Sequence, residues 1–333
     1  MTRATRWVVL VQVLVLAAAI GVSAGVAPGQ APVKTGDVAK RGLKETDFPR
    51  AKQLAPGVYS YEALRAGDPG GKMTTNSFVV ITTAGVLVAD GQGNAAQTKE
   101  MVDWIAKMTT QPIKYVVICS DHGDHTGGNA SFPEGVTFIS HPTSKATLEA
   151  SARPGARLPT ETVADKRTIK LGNTDIEILF FGRAHTGGDL SVYLPASKIL
   201  FMSEAFLHRL FPAMRSAYPS EWVEAVKKAQ ALNAALYVPG HGFVDDAATL
   251  RDELDVYRRA MERVIAEAKR LHAAGVPCAP AAAAGGAAAG QPAPLCEAAQ
   301  KANLGDLTDW TLYRSQVEIA IRKIYDELDG KLK

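Results

Sequence analysis

Ser120-Asp121-His122-Gly123-Asp124-His125 follows an apolar run, Ile113 to Cys119, and leads into Thr126-Gly127-Gly128-Asn129. Two imidazoles and a carboxylate therefore crowd one short loop at the end of a predicted strand. Neutral imidazole and carboxylate are the donors that a borderline divalent cation such as zinc takes, and this spacing turns their tips toward one point. Ser120 stands where a fuller set would carry one more imidazole.

The other histidines decide whether the loop is a site. Two of the seven histidines share its setting, at the end of an apolar strand and close to glycine. His185 follows Ile176 to Phe180 and opens His185-Thr186-Gly187-Gly188-Asp189, and His241 follows Leu236-Tyr237-Val238 within Pro239-Gly240-His241-Gly242. Between them, Phe201-Met202-Ser203-Glu204 ends a strand in a carboxylate. Strand ends that open into loops are where a rigid scaffold holds several ligands close together. Asp90, ending the strand Val86 to Ala89, is expected to hold the loop by hydrogen bonds rather than to bind metal. His141, before Pro142, reads as structural, and His272 as a surface residue on a charged helix. His208 and Arg209, a few residues beyond Glu204, are expected to meet a substrate carboxylate, with a solvated turn as the other reading.

Length and composition bound the rest. A chain of 333 residues, 47% hydrophobic and 21% charged, can bury a large core. Arg3 and Arg6, the 14-residue apolar stretch Trp7 to Ile20 and the small residues Val22-Ser23-Ala24 read as an export signal over residues 1–24. The apolar stretch is short for a membrane span of about 20 residues. No integral membrane segment is expected after cleavage, and a periplasmic or secreted location follows. The formal charge of +3 indicates no pull toward nucleic acid, so the expected partner is a small molecule. Cys278 and Cys296 bracket an Ala/Gly/Pro-rich stretch, Ala279 to Leu295, and a disulfide between them is expected in an oxidising compartment. Cys119 has no obvious partner and reads as a small buried side chain.

Along the chain, residues 25–50 read as a polar linker, 51–250 as the main domain and 251–333 as a helical C-terminal extension. Short β-rich runs are predicted at Gly57 to Tyr61, Ser77 to Thr82 and Val86 to Ala89, then a helix over Glu100 to Met108. Further strands follow at Val136 to Ser140, Thr168 to Leu171, Leu190 to Leu194 and Ile199 to Met202, with an amphipathic helix from an N-cap at Ser220. Loops Ala63 to Met73, Ala152 to Pro159 and Phe206 to Tyr218 are expected to supply the pocket walls. No Gly-x-x-x-x-Gly-Lys phosphate loop is present.

Taken together, Asp90-Gly91, His122-Gly123-Asp124-His125, His185 with its Gly-Gly-Asp tail, Glu204 and Pro239-Gly240-His241-Gly242 resemble the metallo-β-lactamase superfamily over roughly Gly57 to Asp245. The resemblance implies an α/β fold, a four-layer αββα sandwich with the metal site at one edge of two packed sheets. It also implies one metal position at residue 120, His122 and His185, and another at Asp124, His125 and His241, with Glu204 bridging, serving as a fourth ligand or acting as base. Two departures stand out: Ser120 replaces the histidine that usually starts the loop, and Glu204 replaces a usual aspartate. A serine hydroxyl is a poor zinc ligand beside imidazole, so one strong zinc site and a second weak or absent one are expected. The implied activity is hydrolysis of an ester, lactone, thioester or amide, β-lactams included, by metal-bound hydroxide, with Asp124 or Glu204 orienting or deprotonating it. Two other readings are a non-catalytic or accessory metal-binding protein of the same fold and, ranked behind it, iron-dependent oxidation in sulfur metabolism.

Overall fold

In the centre of the molecule, neighbouring residues of a strand face opposite ways and both faces are buried. Val86, Val88, Val116 and Ile118 enter one apolar cluster, whereas Leu87, Ala89, Val117 and Cys119 enter another. A strand with period-two alternation and no polar face must be covered on both sides. The computed structural model describes residues 33–67, 71–279 and 294–332. The expected export signal, the start of the linker and most of the Ala/Gly/Pro stretch lie outside the described residues. Among those described, no helix is long and apolar enough to cross a membrane.

The strands are β1 (Arg50–Ala55), β2 (Val58–Ala66), β3 (Lys72–Thr82), β4 (Gly85–Ala89), β5 (Ile113–Ile118), β6 (Thr137–Ser140), β7 (Glu161–Thr162), β8 (Lys166–Leu171), β9 (Thr174–Phe180), β10 (Leu190–Leu194), β11 (Ile199–Leu207) and β12 (Leu236–His241). The helices are α1 (Ala95–Met108), α2 (Gly123–Thr126), α3 (Pro142–Ala150), α4 (Pro219–Ala231), α5 (Ala247–Ala273), α6 (Glu297–Lys301) and α7 (Tyr313–Leu328). β1 to β7 pair in chain order, antiparallel as far as β4 and parallel beyond it, and β8 to β12 form a second run of the same kind. The two runs join where His241 of β12 pairs with Thr75 of β3. Face-to-face packing between them is marked by the stacked rings of Phe78 and Phe201, 5.6 Å apart. Met101 and Ile105 of α1 cover the outside of the first sheet, and Trp222 of α4, Leu254 of α5 and Ile321 of α7 cover the second. The result is the α/β four-layer sandwich.

Local chemistry explains where the elements depart from the sequence reading. α1 starts earlier than predicted because Asn94 caps it, accepting from Gln97 N at 3.0 Å. Ser220 is not the cap of α4, which begins at Pro219; instead its N–H and hydroxyl both donate to Glu327 at the end of α7, at 3.0 and 2.7 Å. Residues 33–50, read as linker, are tied down: Val38 is buried with its N–H on Lys72 O at 3.0 Å, and Arg41 pairs with Asp245. The C-terminal extension is likewise built in, since the apolar faces of α5 and α7 share the core of the second sheet.

Cys278 and Cys296 form a disulfide, and Cys119 is free and buried. The bond closes a loop over a sequence separation of 18. Closing a loop of that length removes unfolded-chain entropy worth roughly 3 kcal/mol. Replacing both cysteines by serine is therefore expected to lower the free energy of unfolding by roughly 3 kcal/mol in urea titrations; an unchanged midpoint and slope would show that the closure contributes nothing.

Candidate metal centre

Three strand ends or post-strand loops and the interior of one strand deliver the site. β5 runs into Cys119-Ser120-Asp121, and His122 precedes the single turn of α2, which carries Asp124 and His125. The loop after β9 carries His185, and Asp189 closes it by accepting from Thr186 N at 2.6 Å and Thr186 Oγ1 at 2.9 Å. Glu204 lies inside β11, one residue after Ser203, whose φ of +47° coincides with a register slip against β12. That bulge re-aims the following side chain. His241 ends β12, and its loop is clamped by Asn76, whose amide donates to Pro239 O at 2.9 Å and Gly242 O at 2.8 Å. Gly242 sits at φ +83°, where a Cβ would fall 2.1 Å from His208 O.

The side chains converge in two groups that share Glu204: Asp124, His125, Glu204 and His241, and His122, His185 and Glu204. In the first, His125 Nε2 and His241 Nε2 are 3.1 Å apart with their rings inclined at 68°. His241 Nε2 lies 3.0 Å from Asp124 Oδ2 and 3.2 Å from Glu204 Oε1, and His125 Nε2 lies 3.6 and 3.8 Å from the same atoms. A tetrahedron with metal–nitrogen distances of about 2.0–2.1 Å has edges of about 3.4 Å, so the donor set fits a single small cation.

Tautomers support that fit. His241 Nδ1 is 2.7 Å from the carbonyl of Thr74, which can only accept, so that nitrogen carries the proton and Nε2 presents its lone pair inward. His125 Nδ1 faces Asp90 Oδ2 at 3.0 Å in the same way. Two inward lone pairs at such a distance repel unless a cation or a proton stands between them. Asp90 is fully buried at φ +61° and also accepts from Cys119 N at 2.7 Å and from the Ser203 hydroxyl.

The second group is built differently. His122 Nδ1 and His185 Nδ1 approach Glu204 Oε2 at 2.9 and 3.1 Å, and Ser120 Oγ donates to the same oxygen at 2.5 Å. Ser120 thus holds the carboxylate and adds no imidazole. His122 is fixed from outside by Ser216 Oγ, 3.1 Å from its Nε2, and His185 by the edge-on ring of Trp222 at 5.1 Å.

Charge in the cluster is strongly coupled. Burial would raise the Glu204 carboxyl, but His185, His122 and His125 outweigh it and hold it well below the usual carboxylate range. Asp124 is also held low, by His125 and His241 against burial and the Glu204 charge. Burial would lower both loop histidines; Glu204 instead lifts His122 to about 9, and Asp90 and Asp124 lift His125 to about 10. Protons on these rings stand where a bound cation would otherwise balance the carboxylates. Asp189, fully buried, is pushed up to about 6 by burial.

A cleft of about 480 Å³ opens over both groups. Arg65 from the end of β2 lines it and pairs with Asp124. The structure corrects one expectation: neither His208 nor Arg209 faces this cleft. His208 is buried against Phe243 O at 2.8 Å, and Arg209 forks onto Glu253 of α5 while lying over Trp310. The carboxylate they meet is the protein's own, because the chain turns away at Arg209, where φ is +58°. Of the three expected wall loops, 63–73 and 206–218 line the cleft, whereas 152–158 borders a separate depression beside Asp121. Arg65, Arg215 and Ser216 carried no signal beyond membership of those loops.

The superfamily model for metallo-β-lactamases matches residues 70–241, about half of the chain, from just before β3 to the last histidine of the cluster. The chain belongs to the metallo-β-lactamase superfamily. It is 28% identical over 195 residues to a metallo-β-lactamase type 2 of Bacillus cereus, covering 57% of this chain and 75% of the relative. Against the type 2 enzyme of Bacteroides fragilis it is 25% identical over 211 residues, covering 62% and 84%. The solved metallo-β-lactamase of Pontibacter korlensis superposes with a TM-score of 0.57 at 23% identity, covering 63% of this chain and 98% of that one, which shows the shared fold.

Because Asp90 fixes the ring of His125, Asp90→Asn is expected to weaken metal binding roughly 10- to 100-fold. Competition against a chromogenic chelator measures it; unchanged affinity would show that Asp90 serves the fold alone.

Proposed function

We propose that this protein is an exported zinc-dependent hydrolase that opens an ester, lactone, thioester or amide bond, with β-lactams within its substrate range. The observation that carries this reading is the convergence of His125 Nε2, His241 Nε2, Asp124 and Glu204 on one point beneath an open cleft. The names of the relatives support the reaction class. Export is supported by the leader-like first residues and by the Cys278–Cys296 bond.

Asp124, His125, His241 and Glu204 would hold the strong site, and His122 with His185 a weaker one that shares Glu204. Zinc, when bound, supplies Lewis acidity toward a carbonyl oxygen and brings the pKa of a bound water to about 7. The chain's own groups then divide the remaining work. Glu204 spans the two groups, Oε1 toward His241 and Oε2 toward His122, so its carboxylate lies on a path for a proton leaving the strong site. His122, about a quarter exposed and 2.9 Å from Glu204 Oε2, is the member of that path nearest solvent. Ser120 keeps the Glu204 carboxylate in this bridging pose. Apolar walls from Met73, Leu207 and Leu210 exclude water around the reacting bond.

Elemental analysis of the purified protein is expected to give about one zinc per chain, and Ser120→His is expected to bring it to about two and to alter turnover of lactam and ester substrates. Two equivalents in the parent would overturn the single-strong-site assignment. Stoichiometric zinc with no turnover of any carbonyl substrate would leave the non-catalytic reading standing.

A further inference from the structure

The superfamily match ends at His241, yet the cleft is completed by residues far beyond it. Leu312 and Gln316, at the start of α7, line it together with Leu207, Leu210 and Ala213. This placement is enforced. Leu210 pairs with Thr311 as an isolated parallel bridge, Phe211 N donates to Thr311 O at 2.7 Å, and the rings of Phe211 and Tyr313 meet edge to face at 5.3 Å. Leu312 adopts φ +72°, a conformation that is strained for a bulky residue and persists only where its neighbours dictate it. Strain of that kind brings a leucine side chain into the cleft wall.

The rim continues this segment. Arg215 is exposed and borders both the cleft and a shallow depression of about 430 Å³ running along α7, lined also by Ile319, Arg322, Lys323 and Asp326. Arg322 is engaged with Glu318 at 3.5 Å and Asp326 with Lys331 at 3.7 Å. Arg215 and Lys323 make no ion pair among the described residues. The wall above the ligand cluster therefore grades from apolar side chains, Leu207, Ala213 and Leu312, to a rim of unbalanced positive charge, a pattern that suits one class of small molecule.

We infer that the segment from Gly305 through α7 is the substrate-selecting wall of this cleft, and that Arg215 and Gln316 select substrates with an apolar body and an anionic end pointing over α7. The inference rests on the hydrolase reading for its link to turnover but not for its link to binding. Arg215 receives the anion by a charge-assisted hydrogen bond, while Leu312, backed by the buried Leu210, holds the chain that leads from it to the scissile carbonyl.

Two esters differing only at the far end test it: the 4-nitrophenyl monoester of octanedioic acid, which is anionic, and 4-nitrophenyl octanoate, which is neutral. The parent is expected to prefer the anionic ester in kcat/KM. Arg215→Glu is expected to cut that preference at least tenfold, Gln316→Glu severalfold, and Arg215→Lys to retain most of it. Turnover of both esters with a preference insensitive to these changes would overturn the inference and leave the hydrolase reading intact. Should neither ester turn over, calorimetry of octanedioate binding to the chelator-treated protein decides. Binding weakened at least tenfold by Arg215→Glu would uphold the selecting wall while the ester-hydrolase reading fails. Binding that is absent, or indifferent to the substitution, would overturn the wall.

Discussion

The buried carboxylate of Asp90 is the contact on which the site depends. It sits at the end of β4 in the first sheet and reaches the backbone of Cys119 after β5, the hydroxyl of Ser203 in the second sheet, and Nδ1 of His125, the nitrogen turned away from the cluster. An ionised carboxylate taken out of water costs several kcal/mol unless its oxygens are met by donors. Here each donor belongs to a different element, so satisfying one charge fixes four pieces of chain relative to one another. Positive φ at both Asp90 and Ser203 shows that the backbone bends to make this possible.

Around that anchor the cluster is a frustrated arrangement of like charges. Asp124 and Glu204 are both held low, and His122 and His125 are pushed up in return. Arg65 adds a cation from the cleft side by pairing with Asp124. Such a cluster gains more from a small divalent cation than from scattered protons, because one charge at the centre serves every donor at once. Ser120 changes the balance between the two groups. Its hydroxyl secures Glu204 where an imidazole would have supplied a lone pair, so one group keeps four donors and the other relies on two histidines and a shared carboxylate.

The outer parts of the chain are structural members of the site. Residues 33–50 lie against β3 and the loop after β12, and Lys34 joins Arg209 on the buried Glu253. That same pairing positions Arg209 under Trp310, from which the chain rises through Thr311 and Leu312 into the cleft wall. Packing of α7 on α4 and α5 thus carries through to the space available above the metal ligands.

Much of the centre was legible in the linear sequence. His122, Asp124, His125, His185, Glu204 and His241 each follow a run of alternating or continuous apolar residues, a context that marks a strand end for all but Glu204, past which β11 continues to Leu207. The sandwich followed from the resemblance those residues carry, and the Cys278–Cys296 pair from its low-complexity bracket. Arg65, Ser216 and Gln316 were not legible, because half-buried residues at a strand end, in a loop and at a helix start have no periodicity to distinguish them. His208 and Arg209 were misplaced for the same reason: nearness to Glu204 along the chain says nothing about a backbone turn that sends them to Glu253. The sequence by itself determined the candidate donor residues and the strands that bear them, since residue type and period-two burial are local properties. Tertiary structure alone decided that Ser120 holds Glu204, that the two donor groups share one carboxylate, and that a helix beyond the superfamily match closes the cleft, because each depends on side chains separated by many residues meeting at one point.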